Sequence, residues 1–147
     1  MARAFPTCED TVESFDIDDF EDLSQADVTI KNPVTGAPTG VVITLAGPEH
    51  PARKRILFDR QRRLRAGLQK TGRLQLGDPE DDEQDELDML IAATLGWSGV
   101  RRGGADVPCS AQAARDLYAD PKRRWLRDQV KTALDEREAF IQRSAAT

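Results

Sequence analysis

Aromatic residues are scarce in this chain: five Phe, two Trp and one Tyr make up 5% of it. A core must therefore be built mainly from Leu, Val, Ile and Ala. Stacking platforms of the kind that grip single-stranded nucleic acid have little to be made from. Histidine occurs once, at His50 between Glu49 and Pro51, and a metal site ordinarily wants more than one His or Cys nearby. The two cysteines, Cys8 and Cys109, stand far apart with no ligand pattern around either, so neither a zinc site nor a disulfide framework is indicated. No run approaches the roughly 20 apolar residues of a membrane span. The acidic opening stretch MARAFPTCEDTVESFDIDDF has no apolar centre, so no secretory leader is read there. The expectation is a chain held in a reducing cytoplasm and away from membranes.

Charge is plentiful: 32% of the 147 residues are charged, and the net charge of −5 hides strong segregation. Residues 1–27 carry nine acids against Arg3, a balance of −8. Residues 52–73 carry nine bases against Asp59, a balance of +8. Residues 78–88 carry eight acids and no base, again −8. Blocks of this kind neutralise one another internally, steer partners, or join copies of the same chain.

The length fits one domain with a real core. Residues 1–24 read as a flexible acidic arm punctuated by Phe15, Ile17, Phe20 and Leu23, ahead of a single domain over 25–147. In DVTIKNPVTGAPTGVVITLAG, β-branched runs flank a tip rich in Asn, Pro and Gly, which predicts a β-hairpin over 27–46. A basic helix follows over about 50–70, with Ile56, Leu57, Leu64 and Leu68 at helical spacing, interrupted by Arg60. Asp78-Pro79 and the acids behind it open a second helix over 79–96, with Leu87, Leu90, Ile91, Thr94 and Leu95 as its apolar face. Gly103-Gly104 suggests a small hairpin. Ser110 caps a short helix over 110–119, and Asp120-Pro121 starts a last one over 121–143, where Arg137 falls on the apolar side. The fold class is thus α+β and mainly helical, an N-terminal β-hairpin packed on about four helices.

Catalytic, cofactor and metal residues are assigned to none of these positions. Ser110 sits in CSAQ rather than in a nucleophile elbow. Arg101 and Arg102 would lower the Cys109 pKa only if they fold back on it, and no histidine is at hand as a base. DPEDDEQDELD lacks the alternation and glycine of a calcium loop. Gly96, Gly99, Gly103 and Gly104 match no phosphate-binding pattern. The features left over are contact features. Arg53, Arg60, Arg62 and Arg63 on the basic helix and the two tryptophans, Trp97 and Trp125, are the partner-binding candidates. Protein ranks ahead of nucleic acid as the partner of the basic helix, because the whole chain is acidic, the acidic segments could cover the helix, and Phe58 is the only aromatic among the bases.

An ordered series runs through most of the chain. It comprises KNPVTGAPTGVVITLAGPEHPARKR (Lys31–Arg55), Leu87, AAT (Ala92–Thr94), GWSGV (Gly96–Val100), PCSAQAARDLY (Pro108–Tyr118), and the stretch from Pro121 to Ile141 containing RWLRDQVKTALDERE. Over about 30–141 this resembles small proteins encoded among the tail genes of tailed bacteriophages and prophages, taken to be tail assembly chaperones. The shared pattern is one of packing and turn residues, not of catalytic ones. The resemblance implies a non-enzymatic protein of the host bacterial cytoplasm that binds tape-measure or tail-tube protein before the tail polymerises; self-association is an expectation of the charge blocks. Two other functions fit the same residues. One is a minor structural component of the virion, in the tail or the head-tail connector. The other is a nucleic-acid-binding regulator using the basic helix 52–73.

Overall fold

The computed structural model describes residues 14–74 and 77–143. It is a mixed α+β fold, mainly helical, with a strand pair at its N-terminal side and four α-helices. The first thirteen residues of the expected arm lie outside the described residues.

Strand β1 (Phe20–Asp22) follows a short 3-10 turn over Ile17–Asp19, in which Asp18 N donates to Asp16 Oδ1. The hairpin is formed by β2 (Gln25–Lys31) and β3 (Pro38–Ala46), paired antiparallel from Gln25 opposite Ala46 to Lys31 opposite Pro38. Its tip is closed by Asn32, whose side-chain oxygen accepts from Val34 N and Thr35 N at 2.9 and 3.1 Å. Along β2, Ile30 is buried while its neighbours face out, the alternation expected of a half-covered strand. The outer edge of β2 is plugged at its end by Gln129, whose amide accepts from Lys31 N and donates to Lys31 O, each at 2.9 Å. A side-chain amide thus takes the place of another strand and blunts the open edge.

The long helix α1 (Pro51–Thr71) leads to α2 (Pro79–Ala93). The sequence continues the helical period through Thr94 and Leu95, and the expected end lay at residue 96. The chain instead leaves the helix at Thr94 and becomes β4 (Thr94–Ser98), giving a three-stranded sheet in the order β2-β3-β4. The free edge of β3 offers a ladder, with Ile43 opposite Trp97 and Thr44 opposite Gly96. Gly96 is a poor helix former and Trp97 a good strand former, so the ladder prevails over the periodicity. At the end of β4, Gly99 has φ 77°, and a Cβ there would lie 2.5 Å from the Gly40 carbonyl.

A tight hairpin of β5 (Arg101–Arg102) and β6 (Ala105–Asp106) turns through Gly103 and Gly104, both at positive φ. Helix α3 (Ala111–Ala119) starts at Ser110, whose Oγ accepts from Ala113 N at 3.0 Å. After a 3-10 turn over Pro121–Arg123 comes α4 (Arg124–Asp135). The expected continuous helix to residue 143 stops eight residues early. Glu136 is extended, a 3-10 turn over Arg137–Phe140 follows, and β7 (Ile141–Arg143) pairs antiparallel with β1. After the break Phe140 is fully buried in the core. The break also places Arg137 outside, 3.4 Å from Asp22, rather than along the apolar face. The core joins sheet and helices through Ile30, Ile43, Leu45, Leu90, Tyr118, Val130 and Phe140.

Candidate partner-binding surface

Helix α1 is well capped at both ends. His50 Nδ1 accepts from Ala52 N at 3.0 Å, Pro51 takes the first turn, and Gly72 closes the helix at φ 69° with its N–H on Leu68 O at 2.7 Å. Its 21 residues nevertheless include none that is buried. Only the first turns dock firmly. There Arg53 reaches inward, its guanidinium donating to Ala46 O at 3.3 Å and Leu134 O at 3.5 Å and lying 5.9 Å over the Phe140 ring. Burial pushes the Arg53 pKa down, partly offset by the nearby Asp135 carboxylate. Arg53 therefore acts as a strut between α1, β3 and α4.

Further along, Ile56 and Gly67 are the half-buried positions on the side that faces α2, and the rest of the helix is open. Leu57, Phe58, Leu64 and Leu68 keep 42–45% of their surface exposed. The spacing that makes an amphipathic stripe is present, but the chain does not cover it. Between α1, α2 and the end of α4 runs an open groove of about 730 Å³, lined by Ile56, Leu57, Met89, Leu90 and Leu134 among others.

Charge follows the same division. Four acids of α2 are taken up by three helices. Asp85 receives Arg63 at 3.1 Å and Arg60 at 3.9 Å from α1, and Asp88 receives Arg115 of α3 at 3.1 Å. Glu83 and Glu86 meet the buried Arg127 of α4 at 3.4 and 3.5 Å, and Glu86 also meets Lys131 at 3.3 Å. On α1, Lys54 pairs with Glu49 and Arg62 with Asp59. Arg55, Arg65, Lys70 and Arg73 have no carboxylate partner among the described residues. Glu83, Asp85, Glu86 and Asp88, half of the acid block, are thus paired inside the chain, whereas Asp78, Glu80, Asp81 and Asp82, like Arg55, Arg65, Lys70 and Arg73, join no ion pair among the described residues.

The other candidates lie elsewhere. Trp97 is half-buried on β4 with its Nε1 donating to Val107 O at 2.8 Å, which ties the sheet to the connector. Trp125 is 38% exposed on α4 while Leu126 beside it is 8% exposed, so Leu126 is the residue that faces the core. The six sequence candidates therefore do not converge. Arg60, Arg62 and Arg63 share α1, Arg53 is internal, and the tryptophans sit on other elements. Leu57, Leu64 and Leu68, which complete the α1 surface, were legible only as part of an apolar stripe, and Phe58 only as the one aromatic among the bases.

The connector carries little nucleophile chemistry. Burial pushes the Cys109 thiol pKa up, away from thiolate. Arg101 Nε is held by Asp106 at 3.0 Å, and Ser110 Oγ is engaged as the α3 cap. Among the described residues, no group of three or more His, Cys, Asp or Glu is placed to hold a metal ion, and no helix is long and apolar enough to cross a membrane. No protein-family model, curated protein or solved structure matches the chain.

Proposed function

We propose that this chain is a non-enzymatic tail assembly chaperone of a tailed bacteriophage, acting in the host cytoplasm on the tape-measure or tail-tube protein before the tail polymerises. The observation that carries the reading is α1: a well-capped helix of 21 residues with no buried side chain and an uncovered apolar stripe. Such a stripe is the half of a helix-in-groove contact that a client's apolar surface completes. The ordered residues between about 30 and 141 that resemble phage tail chaperones are what points to a tail protein as the client.

The energetics suit holding and release. Fully burying a Leu or Phe side chain contributes about 1.5–3 kcal/mol. Leu57, Phe58, Leu64 and Leu68 are already about half covered, so completing their burial contributes on the order of 3–6 kcal/mol before the cost of association. Association costs about 4–15 kcal/mol, so the stripe holds a client only together with further contact, and the small surplus is one that a growing tail can overcome.

Co-expression with the tape-measure protein of the same phage tests this. The two proteins co-purify, the double variant Leu64→Asp/Leu68→Asp loses the complex while keeping its helical circular dichroism, and purified particles contain none of the chain. Abundant full-length chain in washed particles would instead establish a virion component. Equal binding by the double variant would remove α1 from the account.

A further inference from the structure

Two surfaces of opposite character are left without partners inside this chain. One is the α1 face formed by Leu57, Phe58, Gln61, Leu64, Arg65 and Leu68, all exposed and one or a few residues apart on neighbouring helical turns. Arg55 flanks it, and neither Arg55 nor Arg65 has a carboxylate partner among the described residues. The other is a small knob ahead of β1. The Phe15 and Phe20 rings stack there with centroids 5.7 Å apart and planes 4° from parallel. Phe15 and Ile17 are nonetheless 68% and 80% exposed. Asp18 and Asp19 stand beside them and join no ion pair among the described residues.

The knob does not reach α1 of its own molecule. Its base is pinned by the pairing of β1 with β7 and by Asp22 against Arg137, and no hydrogen bond or ion pair among the described residues links Phe15–Asp19 to α1. Each surface supplies what the other lacks, apolar contact together with the opposite charge. Pairing α1 with α1 of another copy would instead set Arg60, Arg62 and Arg65 against their own kind.

We propose that the acidic aromatic knob Phe15–Phe20 of one copy docks on the α1 face of a second copy. Because the two surfaces differ, the contact is head-to-tail, and it continues through successive copies until a ring closes or a short open chain forms. This inference does not depend on the tail-chaperone reading, although a client on α1 would compete with the knob.

Sedimentation of the full chain over a concentration series tests it. At low salt the mass rises beyond that of a dimer, and at high salt it returns to that of a monomer. Asp18→Lys/Asp19→Lys is monomeric under both conditions, and so is Arg55→Glu/Arg65→Glu. An equimolar mixture of the two variants associates again, because each reversed surface then meets its complement; recovery on mixing also shows that both variants are folded. A wild-type chain that stays monomeric at low salt, a dimer indifferent to both charge reversals, or a mixture that remains monomeric would each overturn the proposal. None of these results bears on client binding, which the co-purification reads separately.

Discussion

Helices α1 and α4 are written in much the same language and end in opposite situations. Both are rich in arginine and both carry apolar residues at helical spacing. Over its 12 residues α4 buries Leu126, Arg127, Val130, Ala133 and Leu134, whereas α1 buries nothing over 21. The difference lies in what each helix finds on its apolar side. α4 meets β2, α2, α3 and the returning Phe140 segment, while α1 meets other elements only along one flank and at its first turns. Amphipathic periodicity reports that a face wants cover. It does not report whether the cover belongs to the same chain.

The sharpest way to break this comparison is to make one substitution in both helices. Leu134→Ala on α4 leaves a cavity in the core and is expected to cost about 2–5 kcal/mol. Leu64→Ala on α1 is expected to change stability by no more than about 0.5 kcal/mol, since a surface leucine gives way to a better helix former. Urea unfolding of the dilute protein at high salt, where association is suppressed, reads both. A cost at Leu64 matching that at Leu134 would mean that α1 is covered in the single chain after all.

The same contrast explains how much was legible in the sequence. The hairpin, the Ser110 and Asp120 caps, the Gly103-Gly104 turn and the class of fold were readable because local chemistry decides them: turn residues, capping oxygens and β-branched runs. Two helix ends were not. Thr94–Ser98 was drawn from the helix to the edge of β3, and Ile141–Arg143 was drawn to β1, a partner more than a hundred residues away in sequence. Both were overridden by pairing that no short window displays. The basic helix was legible as a contact element, but its internal strut at Arg53 and its uncovered leucines depend on where α2 and α4 pack.

A second contrast concerns the inner side of the fold and is smaller. The single tyrosine, Tyr118, is buried on α3 and shares a 2.7 Å hydrogen bond with Thr94 Oγ1, which also donates to Leu90 O where α2 ends. Burial pushes the Tyr118 pKa from 10.0 up to about 12, with the Thr94 bond pulling modestly the other way. The fold thus favours the neutral phenol. Its contribution is complete below pH 10 and is lost as pH rises through about 12. Two units correspond to about 2–3 kcal/mol. The stability difference between wild type and Tyr118→Phe, followed from pH 9 to pH 12, should narrow by about that amount, and tyrosinate absorbance should rise late. Early titration at the value of a free phenol would show that the α2–β4–α3 junction opens to water.

The smallest effect returns to the boundary between the two regions. Among the described residues, Asp85 is the acid of α2 that forms ion pairs with α1, through Arg63 and Arg60. Ion pairs with exposed arginines contribute roughly 0–1 kcal/mol, so Asp85→Asn should barely move the unfolding midpoint. Its consequence is electrostatic rather than structural. Removing that carboxylate adds Arg60 and Arg63 to the bases on α1 that have no partner, and the helix becomes a stronger magnet for acidic surfaces. In low salt Asp85→Asn should therefore associate more readily than wild type, with the gain fading as salt rises. A large loss of stability in this variant would mean that α1 is held against the fold by charge. A small loss with tighter association would place the grip of α1 on its own chain at its first turns, at Arg53 and the His50 cap, and leave the rest of the helix for another molecule.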